Sequence, residues 1–220
     1  GDGEAEKVYY NGFRAGEHVV GPKSWDGEDS DAQLFGAKSL GIENFACHGI
    51  QGRAVLVDLE AHVGRERVYV GHDRLMQIMQ DDGVIVEPGD MLLFRTGFAD
   101  EILSMNRQPT KERLENSCAV LDGRDQKLLD WITASGVSAL IADNYAVEGI
   151  PAQPKEGPRP ALPLHHHCLF KLGLPLAELW FLSELADWLR ANGRNRFLLT
   201  APPLRLPGAG GSPATPIATV

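Results

Sequence analysis

The chain has 220 residues, of which 43% are hydrophobic and 23% charged, with a formal net charge of −9 and a pI near 5.2. That is an ordinary globular composition and enough chain for one domain with a sizeable core. The acidic balance offers no basic field to nucleic acid or an anionic membrane, and no apolar run reaches the ~20 residues a spanning helix needs.

Residues 1–50 are rich in Gly, Asp and aromatics and read as ordered loops and short turns. Ala54 to Asp58 is an apolar run bounded by Gly52 and predicts a buried strand. Asp73 to Gln80 places Leu75, Met76, Ile78 and Met79 on a helical stripe, with Asp73 as its cap and Gly83 as its stop. Pro88-Gly89-Asp90 is a turn, and Met91 to Thr96 the next strand. Residues 100–120 read as a charged, helix-compatible surface excursion. Asp125 to Ala134 predicts a helix that Gly136 ends, and Val137 to Ala142 a strand followed directly by Asp143. Five prolines between 151 and 163 require a loop. Cys168 to Leu172 reads as a short helical run after His165-His166-His167, stopped by Gly173, and Leu174 to Leu182 as a strand carrying Glu178. Glu184 to Ala191 predicts a helix with Ser183 as N-cap, Phe197 to Thr200 a last strand, and Pro202 to Val220 a tail over the surface. The alternation predicts a mixed α/β (α+β) domain whose apolar strands are covered on both faces.

In such sheets functional side chains sit just past strand ends, which singles out Asp58, Thr96 and Asp143, although an Asp there commonly caps a turn or helix. Imidazoles and a carboxylate near the C-terminus are ligand types for zinc or manganese. Three consecutive histidines cannot all face one point, so one ligand is expected, and the choice is His166 with Glu178. His48, between Cys47 and Gly49, is a candidate general base. Arg53 could clamp a substrate carboxylate, or neutralise Asp58 or Glu60. Trp25, Trp131, Trp180 and Trp188 are expected in the core. The three cysteines, Cys47, Cys118 and Cys168, show neither disulfide nor zinc-motif spacing, which points to a reducing cytoplasm. There is no phosphate loop and no Gly-x-Ser-x-Gly setting.

Several motifs in order carry a resemblance: Gly49-Ile50-Gln51-Gly52-Arg53 through Asp58, Val86-Glu87-Pro88-Gly89-Asp90 through Gly97, Ala142-Asp143-Asn144-Tyr145-Ala146-Val147-Glu148, His166 to Glu178 with Trp180, and Pro203 to Ala214. They resemble the cyclase family of metal-dependent hydrolases, which includes bacterial kynurenine formamidase and isatin hydrolase. The resemblance covers nearly all of residues 1–220 as a single cyclase-like domain. It implies a swivelling β/β/α fold, a divalent metal (zinc or manganese), a dimer or tetramer, and hydrolysis of an amide bond in a cyclic or N-formyl substrate. It also implies a His and a Glu twelve positions apart as ligands, which here are His166 and Glu178. Phe98 would line an aromatic slot and His48 would move protons or orient substrate. The family's His-Gly-Thr-His-x-Asp motif has no counterpart in this chain. The expectation is therefore the C-terminal two-thirds of a longer protein, with a metal-free relative that binds a small molecule or partner as the alternative.

Overall fold

The computed structural model describes residues 6–21 and 36–220, so Trp25 lies outside the described residues. The chain forms two compact units, one built from residues 1–51 and 199–217, the other from 52–198 and 218–220.

In the first unit, strands β1 (Val19–Val20) and β2 (Gly36–Ala37) pair antiparallel, and helix α1 spans Glu43–His48. The α1 helix, in a stretch expected to hold only loops and turns, stops at Gly49, whose φ of 76° is open to glycine. Among the described residues, the unit otherwise holds a short 3-10 turn over Tyr10–Gly12, further turns and isolated bridges, as expected of a Gly- and Asp-rich segment without periodicity.

The chain continues, mostly within the second unit, through β3 (Gln51–Asp58), α2 (Leu59–Val63), β4 (Tyr69–Val70), α3 (His72–Asp81), β5 (Met91–Arg95), α4 (Phe98–Ser104), α5 (Lys111–Asn116), β6 (Val120–Leu121), α6 (Gln126–Ser135) and β7 (Ala139–Ala142). After the proline-rich loop come α7 (Pro163–His165), a π-helical segment over His166–Leu172, β8 (Leu176–Ala177), α8 (Ser183–Ala191), β9 (Arg196–Thr200) and β10 (Ile217–Thr219). The main sheet is mixed, in the order β10-β9-β3-β5-β7-β8, with β3, β5, β7 and β8 mutually parallel. This is the mixed α/β architecture expected from the alternating elements.

Strand parity explains the core. Val55, Val57, Leu92, Phe94, Leu140 and Ala142 share one sheet face and cluster with Leu75 and Ile78 of α3 and Leu128 and Ile132 of α6. All five β5 residues are buried, because a strand covered on both faces has no solvent side. Each fully buried Leu or Phe stabilises the fold by about 1.5–3 kcal/mol. Helix α6 stops at Gly136, which takes the left-handed conformation anticipated for it.

Several expectations are corrected. Asp73 does not cap α3: the N-cap is Gly71, and the His72 N–H donates to Asp125 Oδ2 at 2.7 Å. Asp125 also accepts from Lys127 and Leu128, so one carboxylate serves two helix starts. Ser183 lies inside α8 rather than capping it, and its hydroxyl donates to Asp100 Oδ2 at 2.5 Å. The tail is not only a surface wrap, since β10 forms the sheet edge. The histidines lie within a helix that starts at Pro163, not before one, and the strand carrying Glu178 shrinks to Leu176–Ala177, leaving Glu178 just past its end. Trp131 packs against the core, but Trp188 is exposed beneath the Arg194 guanidinium. Among the described residues, no helix is long and apolar enough to cross a membrane.

Candidate functional site

Two carboxylates past strand ends do structural work. Asp58, ending β3, accepts from the Ala61 N–H and caps α2. Asp143, just past β7, accepts from the Thr96 N–H (2.8 Å), the Thr96 hydroxyl (2.6 Å) and the Gly97 N–H (2.8 Å), stitching β7 to the start of α4. Burial raises the Asp143 pKa against these bonds, which act to lower it. Both residues therefore fit the capping alternative.

The loop after Asp143 is built to deliver a third carboxylate. Asn144 Oδ1 accepts from the Val147 N–H at 2.7 Å, folding an Asx turn. Leu121 of β6 pairs with this loop on both sides of Glu148, donating to the Val147 carbonyl and accepting from the Gly149 N–H. Val147 sits at φ 58°, a strained setting for a β-branched residue. Glu148 is thereby buried to 1% exposure, where Oε2 accepts from the Leu164 N–H at 2.9 Å and Oε1 from the His165 N–H at 2.8 Å. Gly123 makes the space, since a β-carbon there would collide with Glu148 Oε2.

Those two N–H groups open the helix that carries the histidines, so Glu148 acts as its cap from a distant loop. The same Oε1 lies 2.9 Å from His165 Nδ1. On the far side of the ring, Nε2 lies 3.2 Å from Glu178 Oε1. Glu178 is held by the backbone around it: the Leu179 N–H donates to the Asn144 carbonyl at 2.9 Å, and Leu179 sits at φ 58°. Left-handed non-glycine residues thus adjoin both glutamates, and strain of this kind persists where the surroundings fix it, often at functional sites. Burial opposes a charge on His165, but the hydrogen bonds to Glu148 and Glu178 outweigh it and push its pKa up to about 9.

The residues expected to form a site are placed as follows. Glu178 faces a histidine, but it is His165 and not His166. His166 is exposed and stacks on Phe170, with ring centroids 5.2 Å apart. His167 is buried, its Nε2 2.8 Å from the Thr133 hydroxyl, and burial lowers its pKa. His48 belongs to the first unit, where it is exposed and its Nδ1 lies 2.7 Å from the Asn44 carbonyl, the bond of an ordinary backbone-satisfied histidine. Arg53 is already engaged by Glu87, by Asp90 at 3.3 Å and by the Ile85 carbonyl at 2.9 Å, so a substrate carboxylate would have to displace them. Phe98 is 1% exposed and packs on Tyr145 at 5.2 Å, which makes it an interior aromatic rather than an open slot wall. Nothing next to Glu148 in the sequence singles it out as a candidate site residue. Its signal was Pro163, a favoured first helical residue, which starts the helix before the histidines and leaves N–H groups in need of a cap.

A divalent ion can be tested against this geometry. Bonds of about 2.1 Å to an imidazole nitrogen and a carboxylate oxygen, at roughly tetrahedral to right angles, leave the two donor atoms roughly 3.0–3.4 Å apart. The 3.2 Å between His165 Nε2 and Glu178 Oε1 falls in that interval. Among the described residues, no group of three His, Cys, Asp or Glu is arranged to hold an ion. The pair therefore fits two ligands of a site that needs three or four.

Comparison with known proteins agrees with the fold. A solved structure described as a novel cyclase is 29% identical, with a TM-score of 0.74 over 99% of this chain and 65% of its own. Isatin hydrolase A from Ralstonia solanacearum is 18% identical, with a TM-score of 0.58 over 81% of this chain and 63% of its own. Isatin hydrolase A from Labrenzia aggregata, solved with benzyl benzoate, is 13% identical, with a TM-score of 0.57 over 81% of this chain and 64% of its own. The chain thus spans slightly under two thirds of the length of each of these three proteins. A search of curated proteins found no match. The Cyclase family pattern matches residues 12–149, well over half of the chain, and the chain belongs to the Cyclase family.

Proposed function

We propose that this chain is the greater part of a metal-dependent hydrolase that opens an amide bond in a small cyclic or N-formyl substrate. His165 and Glu178 furnish two ligands of a zinc or manganese ion, and the remaining ligands come from residues outside those described. The observation that carries this reading is the His165–Glu178 pair, 3.2 Å apart, with Glu148 behind the imidazole. A carboxylate behind a ligating histidine is the usual support for a bound metal. Structural likeness to isatin hydrolases supports the fold and leaves the substrate to experiment. When bound, such an ion polarises a carbonyl and brings the pKa of its water towards neutrality. The chain's own contribution is positional: the strand-end backbone fixes Glu178, and the helix start fixes His165. A small-molecule substrate and a homo-oligomer, dimer or tetramer, belong to the same proposal.

The test is metal content and metal affinity in the full-length protein, alongside hydrolysis of N-formylkynurenine and isatin. Glu178→Gln and His165→Ala should each lose the metal, whereas His166→Ala should keep it. Full metal content in Glu178→Gln, by elemental analysis, would refute the assignment. The rival is a metal-free binding protein, and it rests on the lack of a third ligand among the described residues. Full-length protein that binds no divalent ion at any concentration tested would decide for it.

A further inference from the structure

We propose that Glu148 is a positioning residue that selects the tautomer of His165, holding Nδ1 protonated and leaving the Nε2 lone pair turned towards Glu178. The inference rests on the reading of His165 as a metal ligand and adds the residue that makes it one.

A neutral imidazole has one N–H and one lone pair, and its neighbours decide which nitrogen has which. A carboxylate only accepts, so Glu148 Oε1, 2.9 Å from Nδ1, and Glu178 Oε1, 3.2 Å from Nε2, each draw a proton to their side of the ring; Glu148 is nearer and fully buried whereas Glu178 is partly solvated, so the neutral ring keeps its proton on Nδ1. The same oxygen accepts the His165 backbone N–H at 2.8 Å, so the ring is fixed against its own main chain. Capping alone does not account for this construction. A Ser, Thr or Asp adjoining the helix start would satisfy the free N–H groups locally. Here a carboxylate is carried from seventeen positions away on an Asx turn, past a left-handed Val147, into a space that only a glycine at 123 leaves open. Its side chain is fully buried, a costly place for a charge that does nothing more than cap. The neighbouring histidines have no such support: His166 stacks on Phe170, and His167 Nδ1 has no partner.

The test is the 15N spectrum of the His165 ring in metal-free protein, recorded at a pH where the ring's own signals show it neutral and assigned by its loss in His165→Asn. Wild type should show the Nδ1–H form. Glu148→Ala should admit the Nε2–H form and weaken zinc binding by about 10–100-fold. Glu148→Gln should recover most of both, because its amide oxygen can still accept the Nδ1 proton. An Nε2–H ring in wild type would overturn the proposal even if Glu148→Ala did not fold. Equal zinc affinity and an unchanged tautomer in a folded Glu148→Ala, with only thermal stability lowered, would also overturn it while leaving the metal reading intact. A tautomer shift in a protein that binds no zinc in any form would support the role of Glu148 and remove the metal reading.

Discussion

Replacing Arg95 with Met tests how the strand ends are held. Arg95 closes β5 with its side chain 9% exposed, and its guanidinium meets Asp58 at 3.2 and 3.3 Å, Glu60 at 2.6 Å and Asp100 at 3.6 Å. Around it Asp58, Glu60, Asp100, Glu101 and the more exposed Asp187 face Arg65, Arg95, Arg113 and Arg190, five carboxylates against four guanidinium groups. Losing Arg95 removes the most buried of the four cations and widens that excess by one. Breaking a buried ion pair from one side costs about 3–5 kcal/mol, because the other charge stays desolvated. Arg190 still reaches Asp58, and Arg65 still reaches Glu60 at 2.5 Å, so the expected loss is at the low end, about 3 kcal/mol. With a urea slope of about 1–3 kcal/mol per molar, the unfolding midpoint should fall by about 1 M or more. The assay is urea unfolding followed by circular dichroism, with slopes compared between variants. Adding Glu60→Gln to Arg95→Met returns the excess of carboxylates to its wild-type value and should restore about 1 kcal/mol or more. A midpoint within about 0.3 M of wild type, or a double variant weaker than the single one, would refute the reasoning.

Ligation of a metal by His165, as proposed, must expel the proton the ring holds between its two carboxylates. The ring's pKa is raised from 6.5 to about 9, so at pH 7 only roughly one ring in a hundred is neutral, a penalty of about 2.7 kcal/mol. Apparent zinc affinity should climb about tenfold per pH unit from 7 to 9 and then level off, in competition titrations against a chromophoric chelator. Affinity that stays flat over that range would show that the ring is not a ligand. Burial pushes the Cys118 and Cys168 thiols up to about 12, whereas Cys47 is exposed. Ellman's reagent at pH 8 should therefore modify one thiol in the native chain and three in urea. A second thiol reacting quickly without denaturant would contradict the packing around α5–β6 or the π-helix.

Much of the scaffold is legible in the sequence because local chemistry decides it. Met91 to Phe94 and Ala139 to Ala142 are apolar throughout, as strands sandwiched between helices must be, and Gly136 and Gly173 both take the left-handed stop they advertise. What escapes is whatever a distant residue decides. Asp125 caps α3 from 53 positions away, and nothing near Asp73 signals it. The choice among three histidines is the same problem in sharper form. Successive residues of a helix point roughly 100° apart, so which histidine faces Glu178 follows from the phase of the helix and not from a spacing of twelve. That phase is set where the first N–H groups are satisfied, by Glu148 beneath Leu164 and His165. Pro163 at the first helical position already argued for the earlier start. With the helix begun there, His165 turns between Glu148 and Glu178, His166 turns out to Phe170, and His167 turns in to Thr133. One buried carboxylate thus fixes both which imidazole meets Glu178 and which nitrogen it offers. An exchange that moved Pro163 one position later should therefore disorder the candidate site before it disturbs the sheet.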